Sequence, residues 1–288
     1  MKLNRLGILL AGGNGTRLYP STSVTSKQLV PVYDKPTAYY AMSTLINLGI
    51  DDVLIICRSA DLEQYQKLFR TGSQLGITLN YATQDEPKGI ADAFNVVKRA
   101  AYLQEYDQYV LILGDNIFCD SQEITYCENF WPSINFIFGV QVKDPTQYGV
   151  ISKQRNKLII EEKPQAPKSN IAVAGLYSFD HTVFDKVEKL KPSGRKELEI
   201  TDLIRDYIKQ DDITLYNLTY TTWFDTGTPD SLLDAANYIK SFQNRTGKMI
   251  GCIEEAALNK GLINKANLKI YISNLPKNYY SDYLKNLC

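Results

Sequence analysis

The sequence LLAGGNGTRLYPSTSVTSKQLVPV, residues 9–32, decides the fold of this chain. It begins at the end of an apolar run and continues into a loop that contains three glycines, an arginine and then a lysine. Glycines have no Cβ atom, so backbone N–H groups at these positions can approach an anion closely. Arg17 and Lys27 add positive charge. The stretch therefore predicts a buried strand that ends in a phosphate-binding loop.

This loop matches neither of the two common phosphate-binding motifs. No Lys-Ser or Lys-Thr pair follows the glycines, as a P-loop requires, and Leu18 stands where a dinucleotide-binding motif has its last glycine. For the glycines alone, a tight strand-to-helix turn is the alternative interpretation. The offsets of Arg17, Lys27, Gln28 and Pro31 favour a phosphate-binding loop of a third kind.

Composition narrows the class of protein. The chain has 288 residues, 44% hydrophobic and 22% charged, which favours one ordinary globular domain. The formal net charge is zero and no basic tract occurs, so nothing predicts binding to nucleic acid. The apolar runs are only as long as strands, and the N-terminal run is too short for a secretory signal. We expect a cytoplasmic protein with no membrane association.

Cysteine and histidine usage excludes several kinds of site. The five cysteines lack CxxC spacing, which indicates reduced thiols rather than a disulfide framework or a zinc site. His181 is the only histidine and is expected at the surface, so a histidine-dependent catalytic triad is not expected.

Strand-like and helix-like segments alternate over the first 120 residues, which predicts a parallel, doubly wound sheet. From residue 134, short strands with turns predict a mixed or antiparallel extension of the same sheet. The expected fold class is therefore α/β, Rossmann-like, with a mixed, mainly parallel sheet flanked by helices, a smaller β extension and C-terminal helices. The early strands are expected at residues 6–10, 52–57, 78–82 and 109–113, and the helices at 36–48, 61–70, 89–103, 183–190, 201–209 and 229–240.

Two aspartates are placed to meet a ligand. Asp115 in LGDN follows an apolar strand, and Asp225 in WFDTGTP follows another apolar segment. Ligands of such sheets collect beyond the carboxyl ends of the strands. Two carboxylates together with phosphate oxygens form a usual Mg²⁺ site. Each aspartate alone could equally be a turn residue or a helix cap.

The motifs LAGGxGTRL and SKQLVPV, followed by LGDN, EEKP and DTGT, resemble those of the sugar-nucleotidyltransferases. Within that family the chain is similar to the thymidylyltransferases that use glucose 1-phosphate, and the similarity extends to LPKNYYSDYLKNL at residues 275–287. The resemblance implies Mg²⁺-dependent conversion of dTTP and α-D-glucose 1-phosphate to dTDP-glucose and pyrophosphate. The sugar phosphate would attack the α-phosphorus directly. It also implies a homotetramer with feedback by a dTDP-sugar.

Roles for individual residues follow from the same resemblance. It implies a single domain, 1–288, with a nucleotide-binding half at 1–120, a sugar-phosphate-binding half at 121–228, and a C-terminal helical part at 229–288 where oligomer contacts are expected. Asp115 and Asp225 would bind the metal, and catalysis would depend on Arg17, Lys27, Lys163 and Asp115. The residues expected to bind the nucleotide are Leu10, Gly12, Gly13, Gly15, Thr16, Arg17, Gln28, Gln84 and Gly89. Those expected to bind the sugar phosphate are Tyr148, Gly149, Glu162, Lys163, Gly175, Arg195 and Trp223.

Three departures from the family pattern leave the sugar specificity open. Where relatives read QPSPDGLAQAF and AVTGLY, this chain has Lys88 and Asp92 in QDEPKGIADAF and Ala174 in AVAGLY. A uridylyltransferase or a transferase for another sugar 1-phosphate is one alternative, and a non-catalytic sugar-nucleotide sensor is another. Because the expected metal ligands and phosphate-binding cations are all present, the sequence argues against the sensor.

Overall fold

The computed structural model describes residues 3–100, 106–119, 123–125, 135–155 and 157–288. The strands are β1 (Arg5–Ala11), β2 (Pro31–Val32), β3 (Lys35–Pro36), β4 (Asp52–Cys57), β5 (Thr78–Thr83), β6 (Gln108–Leu113), β7 (Asn116–Cys119), β8 (Phe136–Gln141), β9 (Gly149–Gln154), β10 (Lys157–Glu162), β11 (Ile171–Phe179), β12 (Thr214–Leu218) and β13 (Thr222–Asp225). The helices are α1 (Thr37–Asn47), α2 (Leu62–Phe69), α3 (Asp92–Arg99), α4 (Val183–Lys189), α5 (Ile200–Lys209), α6 (Pro229–Thr246), α7 (Ile253–Asn259), α8 (Lys265–Ser273) and α9 (Tyr279–Asn286).

The apolar run before the glycine loop forms β1, which lies in the middle of the parallel part of the main sheet. It pairs in parallel with β4 on one side and with β6 on the other, and β5 continues the parallel order beyond β4. The carboxyl ends of these strands therefore meet at one edge of the sheet. The predicted parallel sheet is confirmed.

The second half of the chain extends the same sheet in the antiparallel sense. β11 lies antiparallel to β6, and β8, β9 and β10 join through antiparallel pairing. β12 then pairs in parallel with β8. β7 and β13 form a separate antiparallel pair. The mixed, mainly parallel α/β fold class is thus confirmed, with its β extension.

Alternate side chains of β1 enter two hydrophobic cores, one on each face of the sheet. Leu9 and Ala11 pack in a core shared with α1 and with the C-terminal helices α7, α8 and α9. Ile8 and Leu10 pack in a core shared with α3, α4 and α5. Because successive side chains of a strand point to opposite faces, a run that is apolar throughout requires cover on both sides. This is why the sheet is doubly wound.

The helices predicted from periodicity all occur, most with bounds close to those expected, but α6 continues past residue 240 to Thr246. Residues 101–103 of one predicted helix, together with Cys127, lie outside the described residues. No helix among the described residues is both long and apolar enough to cross a membrane. Among the residues that the structure describes, Cys57, Cys119, Cys252 and Cys288 are free thiols.

Candidate active site

The glycine loop and Asp115 come together because β1 and β6 are parallel neighbours. The N–H of Gly114 donates to the carbonyl of Leu10 at 2.9 Å, which ties the two strand ends. Gly15 has a φ of 61°, and a Cβ there would lie 2.9 Å from the Cβ of Lys27. The loop can therefore fold tightly onto Lys27, whose ammonium group forms an ion pair with the mostly buried carboxylate of Asp115.

Asp225 reaches the same place from β13. In the β7–β13 pair, Asp225 lies opposite Asn116, the residue that follows Asp115. The N–H and the hydroxyl of Thr226 donate to the backbone carbonyl of Asp115, at 3.0 and 2.7 Å. Thr228, not Asp225, is the N-cap of α6, where it forms a capping box with Ser231. Capping of this helix therefore gives no reason for a carboxylate at position 225.

The two aspartates form an electrostatically strained pair. Burial, followed by the negative charge of Asp115, raises the pKa of Asp225 to about 6, although Lys27, Arg17 and Lys163 oppose the shift. Paired carboxylates of this kind suit a hard divalent cation with oxygen ligands. Among the described residues, no three His, Cys, Asp or Glu side chains cluster as a metal site. A cation held by this pair would therefore take its remaining ligands from substrate phosphate or water.

A cavity of about 220 Å³ opens beside this pair. Its walls include every residue that sequence reasoning assigned to the sugar phosphate, both expected metal ligands, and two cations of the glycine-loop region. These lining residues are Arg17, Lys27, Asp115, Tyr148, Gly149, Glu162, Lys163, Gly175, Arg195, Trp223 and Asp225. The structure therefore brings together side chains from widely separated parts of the chain.

Arg195 lies on the cavity wall among carboxylates. Its guanidinium donates to Glu162 Oε1 at 2.9 Å and to Glu199 Oε2 at 2.7 Å. These contacts, the Glu199 hydrogen bond first, raise the pKa of Arg195. Lys163 lies beside it at the end of β10, with its N–H donating to the Tyr148 carbonyl at 3.0 Å. Two cations from the second half of the chain thus line the cavity, next to carboxylates.

Asn116 is a central residue of the site that sequence reasoning missed. Its Oδ1 accepts hydrogen bonds from the Gly175 N–H at 3.0 Å and from Trp223 Nε1 at 2.7 Å, and its Nδ2 donates to Asp115 Oδ1 at 3.1 Å. A Cβ at position 175 would lie 2.5 Å from Asn116 Oδ1, so only glycine permits this approach. The sequence feature that could have indicated Asn116 is its position directly after Asp115 in LGDN.

Two glutamine amides flank the glycine loop. Gln28 is buried, its Oε1 accepts from Ser26 Oγ at 2.7 Å, and its Nε2 lies 3.6 Å from where a Gly13 Cβ would be. Gln84 follows β5, and its Oε1 lies 3.3 Å from the corresponding position on Gly12. The side-chain amide of Gln84 therefore lies against Gly12, and that of Gln28 lies against the adjacent Gly13.

The remaining expected nucleotide-binding residues lie near the loop or just beyond it. Thr16 and the exposed Arg17 begin a short 3₁₀ turn at the end of the loop. Of the described residues expected to bind the nucleotide, Arg17 lines the cavity, and Leu10, Gly12, Gly13, Gly15, Thr16, Gln28, Gln84 and Gly89 do not. A Cβ at Gly89 would meet the Leu198 carbonyl oxygen at 2.4 Å. The Leu198 N–H also donates to the Lys88 carbonyl at 2.7 Å. Gly89 thus lies where the loop after β5 contacts the segment that carries Arg195.

A sequence profile described as nucleotidyl transferase matches residues 6–241 of the chain. The chain belongs to the nucleotidyl transferase family. It is 41% identical to a glucose-1-phosphate thymidylyltransferase of Neisseria gonorrhoeae and 42% identical to one of Mycobacterium tuberculosis, over 98% of both chains in each comparison. The resemblance to this family, and the prediction of a nucleotidyltransferase enzyme, are confirmed.

A solved structure supports the same relationship at the level of the fold. The crystal structure of a Bacillus anthracis protein assigned as a glucose-1-phosphate thymidylyltransferase, in complex with sucrose, aligns with a TM-score of 0.73 and 38% identity. The alignment covers 81% of this chain and 94% of the other. The sheet and helices of this family member therefore follow an arrangement already seen in a relative.

Proposed function

We propose that this enzyme transfers a thymidylyl group from dTTP to α-D-glucose 1-phosphate and releases pyrophosphate. The observation that carries the proposal is the lining of one cavity, which holds the carboxylate pair of Asp115 and Asp225, four cations, and the carboxylates of Glu162, Glu197 and Glu199. Arg17 and Lys27 come from the glycine-loop region, Lys163 directly follows β10, and Arg195 lies in the segment between α4 and α5. Such a pattern suits two phosphate-bearing substrates that meet at a metal site.

The proposed reaction needs no protein nucleophile. A phosphate oxygen of the sugar phosphate is already anionic at neutral pH and attacks the α-phosphorus of dTTP in line. The new P–O bond forms while the bond to the pyrophosphate group breaks, and pyrophosphate leaves. The protein contributes position and charge: Arg17 and Lys27 face the triphosphate, while Lys163 and Arg195 hold the sugar phosphate.

Asp115 and Asp225 would hold Mg²⁺ in this proposal. When bound, the ion would neutralise phosphate charge and help to orient the triphosphate. Lys27 pairs with Asp115 in the structure, so it stands next to the same position. Asp225 serves as a ligand only when ionised, because a protonated carboxyl group is a poor ligand for a hard cation.

The two glutamines are proposed to read the base. Thymine presents carbonyl acceptors and an N3–H donor along its imide edge. Gln28 offers Nε2 as a donor because Ser26 occupies its Oε1, and Gln84 offers Oε1 as an acceptor beside Gly12. A donor and an acceptor on the two sides of the loop match that edge.

The test is an assay of pyrophosphate release over a matrix of substrates. The purified protein is given dTTP, dUTP, UTP or dCTP with glucose 1-phosphate, galactose 1-phosphate or glucosamine 1-phosphate, in Mg²⁺ or in EDTA. We expect the highest kcat/KM for dTTP with glucose 1-phosphate, and no turnover in EDTA. Equal or better use of UTP would make the protein a uridylyltransferase. No product from any pair in Mg²⁺ would refute the proposal.

We also propose a homotetramer that a dTDP-sugar inhibits at a second site. A separate cavity of about 200 Å³ supports the second site, since its described lining shares no residue with the active-site cavity, and the tetramer is proposed from the resemblance to the family. Asn47, Phe118, Lys248 and Glu255 are among its lining residues. Light scattering measures the assembly. If the proposal holds, inhibition by a dTDP-sugar persists at saturating substrate and weakens in Lys248→Ala, while purely competitive inhibition would contradict it.

A further inference from the structure

Asp92, one of the departures from the family pattern, is buried behind the base-reading glutamine. It lies in the first turn of α3 and is 3% exposed. Its carboxylate accepts two hydrogen bonds, one at 2.7 Å from Gln84 Nε2 and one at 3.0 Å from Asn95 Nδ2. Asp92 does not line the active-site cavity. Gln84 does not line that cavity either, but its side chain lies against the glycine loop, so Asp92 reaches the loop through Gln84.

The chemistry of this contact allows one orientation of the Gln84 amide. A carboxylate has acceptors only, and a glutamine amide has a donor end and an acceptor end. The NH₂ group of Gln84 must therefore face Asp92. Its carbonyl oxygen, Oε1, points the other way and lies over the glycine loop, 3.3 Å from the Cβ position of Gly12.

The other glutamine amide has the opposite orientation and a different partner. The hydroxyl of Ser26 donates to Gln28 Oε1 at 2.7 Å and contacts the hydroxyl of Tyr65 at 3.0 Å, both within the buried interior. The donor end of Gln28 therefore faces Gly13, while the acceptor end of Gln84 faces Gly12. A hydroxyl such as that of Ser26 can donate or accept, whereas the Asp92 carboxylate only accepts, so it is the Gln84 amide whose orientation is fixed by the chemistry of its partner.

We propose that Asp92 is a positioning residue for base selection, which fixes Gln84 so that an acceptor meets the nucleobase. This inference rests on the proposed function. In thymine and uracil, the N3–H can donate a hydrogen bond to this acceptor, Oε1 of Gln84. Cytosine carries a lone pair at N3, so two acceptors would face each other without a proton between them. Discrimination against cytosine nucleotides then depends on a residue that never touches the base.

A purely structural role for Asp92 makes a different prediction. If its carboxylate only anchors α3 to the end of β5, its loss lowers stability and affects all nucleotides equally. If it orients Gln84, its loss changes the ratio between nucleotides, because the freed amide can turn its NH₂ group toward the N3 lone pair of cytosine. The ratio of kcat/KM for dTTP to that for dCTP separates these roles.

The experiment compares Asp92→Leu with Asp92→Asn and Asn95→Ala, using kcat/KM and the equilibrium Kd for dTTP and dCTP. We expect Asp92→Leu to lower the dTTP-to-dCTP ratio by roughly tenfold or more, the factor that one lost polar contact of about 1.4 kcal/mol produces. Asp92→Asn offers Gln84 a donor as well as an acceptor, so the Gln84 amide can pair in either orientation, and this variant should also lower the ratio, though by less than Asp92→Leu. Asn95→Ala removes the other hydrogen bond of the same carboxylate and should leave the ratio unchanged.

The outcomes separate this inference from the function on which it rests. If the wild-type protein does not prefer dTTP to dCTP, either in turnover or in binding, that result overturns both the proposed function and the proposed role of Asp92. A wild-type preference that persists in folded Asp92→Leu overturns only the role of Asp92. If Asp92→Leu does not fold, Asp92→Ala replaces it with the same expectation. Gln84→Leu should lose the same discrimination, and the double variant should lose no more, because both changes remove one interaction.

Discussion

Replacing Asp225 with asparagine should make the protein more stable while it abolishes most of the activity. Burial and the charge of Asp115 raise the pKa of Asp225 from 3.8 to about 6. That rise corresponds to about 3 kcal/mol against the ionised form in the folded protein. Asparagine has nearly the same shape without the charge. In the absence of metal, Asp225→Asn should therefore gain up to about 3 kcal/mol in the free energy of unfolding.

The gain should depend on pH in a defined direction. Since the folded pKa lies above the unfolded value, the folded state binds the proton more tightly, and ionisation costs stability. The cost is absent well below the unfolded pKa of 3.8, grows as the pH rises to about 6, and is complete above that. The advantage of Asp225→Asn at pH 5 should be about half of its advantage at pH 7.5.

Urea unfolding of both proteins in EDTA at these two pH values measures the effect. Mg²⁺ should then raise the stability of the wild-type protein and leave Asp225→Asn unchanged, because a ligand that binds only the folded state stabilises it. Thr228→Ala is a useful comparison: it removes the cap of α6 and should cost about 1 kcal/mol at both pH values. If Asp225→Asn is less stable than the wild type at pH 7.5, the electrostatic reasoning is wrong.

Three further predictions follow from the geometry of the site. Arg17→Ala should reduce kcat by roughly 10² to 10³, because the fixed guanidinium stabilises negative charge that develops in the transition state. Steady-state kinetics measures this, and a change in KM without a change in kcat would contradict it. Arg195→Ala should raise KM for glucose 1-phosphate more than KM for dTTP, and equal changes would place Arg195 elsewhere. Asn116→Leu should destabilise the protein by at least about 1 to 3 kcal/mol, because it leaves the Gly175 N–H and the Trp223 indole N–H without their acceptor. If the Asn116→Leu variant unfolds on heating at the same midpoint temperature as the wild type, this last prediction is wrong.

The parallel sheet could be predicted because its signals are local. The run that becomes β1 is apolar at every position after Arg5, and such a strand must be covered on both faces. The glycine loop marks its carboxyl end by spacing alone. The same reasoning placed Asp115 beyond β6, because a carboxylate that soon follows an apolar strand lies at the ligand-binding edge.

The contacts that complete the site could not be predicted in this way. Asp225 meets Asp115 only because β13 pairs with β7, a pairing between distant segments for which the sequence has no local signal. Asn116 has hydrogen-bond partners on both β11 and β13. The sequence showed Asp92 only as a departure from the family pattern, and its partner Gln84 became apparent from the fold. Roles that depend on a partner far along the chain require the structure.

Exchange of labelled pyrophosphate into dTTP tests most directly whether the thymidylyl group passes straight to a sugar phosphate. The purified protein is incubated in Mg²⁺ with dTTP and [³²P]pyrophosphate, with or without glucose 1-phosphate. We predict that label enters dTTP only when glucose 1-phosphate is present, because the reaction reverses only through the sugar nucleotide. Label in dTTP without the sugar phosphate would indicate a covalent thymidylyl-enzyme and contradict direct transfer, and no label in either case would contradict the proposed function.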